Sequence, residues 1–340
     1  MDRQRLLLSI LLGLALSMAA GCGKIESLIT GETMGTTYHV KVITHRFTDI
    51  KDLKQRIDEK LESVNRSMST YRPDSEISRF NRIAAAGEKF PASADFYRVM
   101  TMGKELFRIT DGAWDGTVDP LVNLWGFGRK GPAVDIPDDP AIRDVLSGIG
   151  FRHINFLPDN TFSKKIPMIT VDLASIAKGF GVDAIAALLT ERKIDNFIVE
   201  IGGEVYASGV RTDNTEWRVG INTPVIGASQ DAVYKVVPLK NRGFATSGDY
   251  RNYVEIGGKR FSHIIDPRTG YPVSNGVVSV SVVAPTCALA DGLATAIMVM
   301  GKDDGIGLLN RLENVEGFVV VSSGDGGLKD YKSKGFVVID

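Results

Sequence analysis

The strongest constraint on the fold is a run of strand signals between residues 197 and 284 with no helical pattern among them. Segments 197–201, 217–222, 233–239, 253–256, 260–265 and 278–284 are short and rich in β-branched and aromatic residues. Gly257-Gly258 between two of them is a hairpin signal. Neighbouring strands joined by short turns pair antiparallel, because a parallel crossover needs a dozen or more residues. Strict β-α-β alternation is therefore absent, and a doubly wound parallel sheet is excluded. The pattern predicts an α+β fold, with antiparallel or mixed sheets covered by helices on one side.

Helical periodicity flanks that run. Ile50, Leu53, Ile57, Leu61 and Val64 recur at three and four residues and predict an amphipathic helix over 50–66. A second spans 94–109, with Phe96, Met100, Leu106 and Phe107 inward, Ser93 as its cap and Asp111-Gly112 as its end. A third starts near Ser175 and carries Ile176, Phe180, Ile185, Leu188 and Leu189. Further helices are expected at 287–300 and 303–312, and strands at 37–44, 317–322 and 335–340.

The N-terminus reads as an export signal. Arg3 and Arg5 precede an apolar run over 6–20, shorter than the ~20 residues that span a bilayer. Ala19, Ala20 and Gly21 then lead to Cys22, and the string resembles a bacterial lipobox, with cleavage before Cys22 and lipid on it. Residues 1–21 are thus a signal peptide, 22–33 a lipidated tether, and 34–340 the working domain. The second cysteine, Cys287, has no partner once Cys22 is acylated, and its apolar setting marks it as a small buried hydrophobe. Lys and Arg number 40 against 41 Asp and Glu, so no excess of positive charge exists to grip nucleic acid.

Four segments carry candidate chemistry. Asp291 and Thr295 are i and i+4 on a helix, so a carboxylate and a hydroxyl share one face, flanked by small Ala288 and Ala294. These are hard oxygen ligands suited to Mg²⁺; the same spacing also fits a small-residue packing face. In the second, VDLASIAKG at 171–179, a strand ends at Asp172 and turns into a helix that Ser175 caps, with Lys178 in its first turn. That is either a phosphate site or a capped helix with a solvated lysine. The third places His263 and Asp266 at a strand end, where a base can meet a hydroxyl, or where a histidine is simply satisfied in the sheet. The fourth comprises loops around Met34, Tyr71 and Ala113-Trp114-Asp115, which join small or hydroxyl residues to a flat or soft side chain. They suit a ring-shaped ligand or the core.

Taken in order, these segments resemble the ApbE family of FAD:protein FMN transferases. The strings are ETMGTTY at 32–38, STYRPDSEISRFN at 69–81, DGAWDGTVDPLVNLWGFG at 111–128, VDLASIAKGF at 171–180, IGGEVYASG at 201–209, FATSGDY at 244–250, SHIIDPRTGYP at 262–272 and ADGLATAIMVMG at 290–301. The resemblance implies a T-fold-like α+β domain and an exported bacterial lipoprotein facing the periplasm. It also implies an enzyme that uses Mg²⁺ to split FAD, joins FMN by a phosphoester to Thr or Ser of an acceptor protein, and releases AMP. Acceptors would be subunits of membrane electron-transfer complexes, such as the sodium-pumping NADH:quinone reductase. It further implies flavin-nucleotide contacts at Met34, Tyr71, Ala113, Trp114, Asp115, Asp172, Lys178 and Ile265. Metal would be held by Asp291, Thr295 and the carbonyls of Ala294 and Ser175. Asp291 and His263 are the catalytic candidates. At Ala174-Ser175 the family often has two glycines, and a carbonyl ligand does not depend on that side chain. Alternatives are an FAD pyrophosphatase, with water as nucleophile, and a periplasmic FAD-binding lipoprotein that transfers nothing.

Overall fold

A computed structural model describes residues 23–128, 135–225, 227–229, 232–249, 253–256, 259–323 and 327–339. The segment 1–21 expected to be a signal peptide, Cys22 and Gly257-Gly258 lie outside them. In chain order the elements are β1 (Lys24–Thr33), β2 (Thr36–His45), α1 (Leu53–Met68), α2 (Glu76–Asn81), β3 (Phe90–Pro91), α3 (Ala94–Ile109), α4 (Asp119–Leu124) and α5 (Asp139–Ser147). Next come β4 (Ile154–Leu157), β5 (Thr161–Lys164), α6 (Ala174–Glu191), β6 (Asn196–Ile201), β7 (Glu204–Ser208), β8 (Trp217–Asn222), β9 (Val233–Leu239) and β10 (Arg242–Gly248). Then follow β11 (Tyr253–Ile256), β12 (Lys259–Ser262), β13 (Val277–Ala284), α7 (Cys287–Met300), α8 (Lys302–Leu309), β14 (Glu316–Ser322) and β15 (Leu328–Lys332).

The centre is an eight-stranded sheet in the order β1-β2-β6-β7-β10-β13-β14-β15, and every neighbouring pair is antiparallel. Alternation sorts its two faces. Tyr38, Val40, Val42, Phe197, Val199 and Ile201 pack under α1 and α6, while Val280, Val282 and Val319 pack under α7. Fully burying one such side chain stabilises by ~1.5–3 kcal/mol. The opposite inward set, Ile43, Val205, Phe244, Val283, Phe318 and Val320, meets Trp217, Ile221, Val237 and Leu239 of the β8–β9 ribbon. Helices therefore cover one face, as the sequence pattern predicts, and a ribbon of strand covers the other.

α6 and α7 are apolar around most of their circumference, as suits helices buried in a core. They touch where Gly179 meets Ala288; a Cβ on Gly179 would lie 2.7 Å from the Ala288 Cα. Two side chains satisfy the first three N–H groups of α7. Asp183 accepts from Cys287 N at 2.8 Å and Ala288 N at 2.9 Å, and the Thr286 hydroxyl accepts from Leu289 N. Cys287 is fully buried, as its apolar setting predicts.

Three expectations need correction. Residues 24–33 are not a tether: β1 pairs with β2 along its full length, from Lys24 opposite His45 to Thr33 opposite Thr36. Met34 (φ 51°) and Gly35 (φ 74°) close that hairpin in the left-handed region that two-residue turns favour. Ser175 does not cap α6. Leu173 stands at the cap without a side-chain bond, and Asp172 accepts the Ala174 N–H at 2.7 Å. The last strand is β15 rather than 335–340; there Phe336 turns back to fill the ribbon-side core, and Ile339 alone bridges to Val236. No helix among the described residues is long and apolar enough to cross a membrane.

Candidate functional site

Five pieces of chain converge at one end of the sheet around a cavity of about 470 Å³. They are the start of α6, the middle of α7, the last residues of β10, the 113–119 loop and the 263–267 loop, with Glu204 entering from the start of β7. Small residues make this possible. Gly179 lets α6 and α7 approach until the Gly179 N–H donates to Asp291 Oδ2 at 3.1 Å. Asp291 is thus 4% exposed on a helix whose other inward residues are apolar, and not the solvated surface acid that i,i+4 spacing alone permits.

A charge group forms the wall. Lys178 Nζ lies 2.5 Å from Glu204 Oε1, and Glu204 is buried. Glu204 Oε2 is buried with no hydrogen-bond partner among the described residues. Burial, followed by the negative charge of Glu204, pushes the Asp291 carboxyl well above the usual carboxylate range. Burial raises Glu204 too, against the pull of Lys178. Burial alone would lower the half-buried Lys178 ammonium; Asp291 and then Glu204 outweigh it and lift it above an ordinary lysine. Two acids crowded round one ammonium are a local excess of negative charge, which wants a further cation.

The oxygen donors beside Asp291 are hydroxyls. Thr295 Oγ1 and Ser247 Oγ are 3.2 Å apart, and Thr246 pairs with Ser281 at 2.8 Å. Asp291 Oδ1 makes no hydrogen bond among the described residues. No cluster of three or more His, Cys, Asp or Glu placed for a metal occurs among those residues, so the donor set is one carboxylate, hydroxyls and carbonyls. These are hard ligands, too few to enclose an ion. They fit Mg²⁺, which keeps waters and takes the rest of its shell from substrate phosphates.

The structure brings together most of the residues singled out in the sequence. Ala113, Trp114, Asp115, Asp172, Ser175, Lys178, His263, Ile265, Asp291 and Thr295 all line the cavity. Tyr71 is 82% exposed on an adjoining cleft of about 400 Å³ that shares Asp119 and Asp172 with the cavity. Thr70 Oγ1 donates to Asp172 Oδ2 at 3.3 Å across that junction. Met34 sits at the same end of the sheet but packs toward Gly181 and is not a wall residue. Ala294 is fully buried, one residue from Thr295. Two side chains are turned inward. The Trp114 ring is buried against Phe151, and its N–H donates to Ser175 Oγ at 3.0 Å. Asp115 gives one oxygen to the Thr117 N–H and hydroxyl and the other to Phe151 N, so only its backbone is left for a ligand. His263 is half-buried, edge-on to Phe127 at 6.5 Å between ring centroids.

Glu204, Ser247, Thr246 and Asp119 were not among the residues singled out. Glu204 and Ser247 stand inside the quoted strings IGGEVYASG and FATSGDY. A buried acid directly after Gly202-Gly203, both at positive φ, was the available signal.

An antiparallel sheet and its helices that set acids, a lysine and hydroxyls around one cavity of about 470 Å³ have the layout of a ligand-binding site of an enzyme. A sequence model of the ApbE family matches residues 34–319, and the chain belongs to that family. It is 43% identical to an FAD:protein FMN transferase of Vibrio cholerae, over 95% of this chain and 96% of that one. Identity to the FAD:protein FMN transferase of Haemophilus influenzae is 40%, over 93% of each. Among solved structures, the flavin transferase ApbE of Vibrio cholerae superposes with a TM-score of 0.81 at 40% identity, over 92% of this chain and all of that one. The apo flavinyl transferase ApbE of Pseudomonas stutzeri gives 0.81 at 34% identity, over 92% and 95%.

Proposed function

We propose that this chain splits FAD and joins its FMN half through a phosphoester to a Thr or Ser of an acceptor protein, releasing AMP. The observation that carries the reading is the Lys178–Glu204–Asp291 group at the wall of a cavity that opens, past Asp172, into the Tyr71 cleft. An elongated dinucleotide can lie along the two, with its pyrophosphate near Lys178 and a ring against Tyr71.

The residues divide the work. The acceptor hydroxyl oxygen bonds to the phosphorus on the FMN side; the bond from that phosphorus to the bridging oxygen breaks, and AMP leaves. Lys178 and the α6 N-terminus hold the phosphate oxygens, and the dipole end of the helix adds partial positive charge. Mg²⁺, when held by Asp291, Thr295 and the carbonyls of Ala294 and Ser175, supplies charge that neutralises the pyrophosphate. His263, on the same wall, takes the hydroxyl proton. Acceptors are subunits of membrane electron-transfer complexes, and the chain works as a periplasm-facing bacterial lipoprotein acylated at Cys22. The test is incubation with FAD, Mg²⁺ and a Thr-bearing acceptor subunit, read as in-gel flavin fluorescence and AMP release. Free FMN with an unlabelled acceptor would instead mark a pyrophosphatase.

A further inference from the structure

We infer that the turn at the far end of the β1–β2 hairpin rests on a phospholipid surface, so that the candidate site is held about 30 Å from the bilayer and faces away from it. The inference rests on acylation of Cys22 and not on the flavin reading. Because β1 begins at Lys24, only two peptide units separate Cys22 from a residue fixed in the sheet opposite His45. That is at most roughly 7 Å of chain, so no slack lets the body float free of its anchor.

The surface at that point suits lipid. The turn that follows β2 is closed by Thr48 N donating to His45 O, and Phe47 stands at its tip with 85% of its surface exposed. Lys24, Arg46 and Lys51 are exposed around it, among the exposed acids Asp49, Asp195 and Asp213; the Lys24 ammonium reaches Asn214, and Asp52 is occupied by a two-point bridge to Arg192. An exposed aromatic beside an acyl chain adds a second apolar contact to the single lipid and orients the attachment. The alternative is to lie on the outer edge of the sheet. That side of β1 presents Glu32 beside Leu28, with Glu26 paired to Lys41 at 3.0 Å, and an unpaired acid is repelled by anionic headgroups.

The site lies at the opposite end. Gly202 N donates to Thr37 O, which ties the turn before Glu204 to the start of β2, whereas Phe47 follows its finish. Ten residues at ~3.3 Å each give a separation of roughly 30 Å. Joined to the proposed flavin transfer, this placement requires an acceptor to present its hydroxyl on a domain standing that far off the membrane.

The test uses the full chain, purified from membranes and reconstituted into phosphatidylethanolamine–phosphatidylglycerol vesicles with nitroxide-labelled headgroups. Cys287 is fully buried, so single cysteines can be labelled with a fluorophore. Phe47→Cys, Leu28→Cys and Tyr71→Cys all fall on exposed positions. Quenching at position 47 at least threefold greater than at 71, and greater than at 28, is the expected result. Equal quenching at 47 and 71, or stronger quenching at 28 than at 47, overturns the inference. A mature N-terminal peptide without acyl mass also overturns it, and flavin binding by the Phe47→Cys preparation, whose label lies away from the site, reports separately on the site.

Discussion

Lys178 Nζ sits 2.5 Å from one oxygen of Glu204, and the other oxygen of that carboxylate is buried with no partner among the described residues. The pair joins the first turn of α6 to the start of β7 and fixes the ammonium on the cavity wall. Glu204→Ala leaves that ammonium without its anion. Removing a partner from a fully buried pair costs 3–5 kcal/mol; here the lysine is partly exposed, so about 2 kcal/mol is expected in urea unfolding. The double variant Lys178→Met with Glu204→Leu should recover most of that stability while flavin transfer stays at least 100-fold down. Recovery of both would assign the pair to folding alone.

His263→Asn should lower the rate of transfer at saturating FAD by 10²-fold or more with little change in FAD affinity, the mark of a group that acts on a proton rather than on binding. An unchanged rate at neutral pH would remove His263 from that role.

Asp183 accepts two N–H groups at the start of α7, and burial raises its carboxyl to about 6. A carboxyl that is raised on folding binds its proton more tightly in the native state. Stability from this group therefore falls as pH rises from about 3.8 to about 6 and is flat above. The stability of Asp183→Asn relative to the natural chain should climb over that window, by at most ~3 kcal/mol. Asp183→Ala should be destabilised at every pH, since two buried donors lose their acceptor at ~1–3 kcal/mol each. Urea midpoints between pH 4 and 7 read both.

Gly179→Ala drives a methyl against the Ala288 backbone and spreads α6 from α7. Overpacking of this kind costs ~1–3 kcal/mol. Because the same glycine donates to Asp291, transfer activity should fall by more than the loss of stability accounts for. Thermal unfolding and the transfer assay on one sample compare the two.

How much of this was legible depended on whether the signal was local. α3 and α7 were legible to the residue, because Ser93 caps the one and a long apolar stretch makes the other. α2, α4 and α5 span 6 to 9 residues, too few turns for periodicity to register. β1 was missed because it is an edge strand whose outward residues are exposed and polar, and β10 because RGFATSG has little bulk. Gly243 in β10 must be small where the strand meets the start of α7, which no local pattern announces. In the site, the spacing of Asp291 and Thr295 was visible along one helix. The pairing of Lys178 with Glu204 was not, since it forms across a turn and a helix 26 residues apart. The inward turn of Asp115 likewise depends on Thr117 and on Phe151, far along the chain.

On the proposed reading, Asp291 and its neighbouring oxygens hold a divalent ion that takes part in FMN transfer. The direct measurement is in-gel flavin fluorescence on an acceptor subunit after incubation with FAD, for the natural chain, the chain with chelator, and Asp291→Ala shown folded by circular dichroism. The account predicts labelling in the first, restored from the second by added Mg²⁺, and none in the third at any Mg²⁺ concentration. Labelling that persists in both the chelated sample and Asp291→Ala would contradict it.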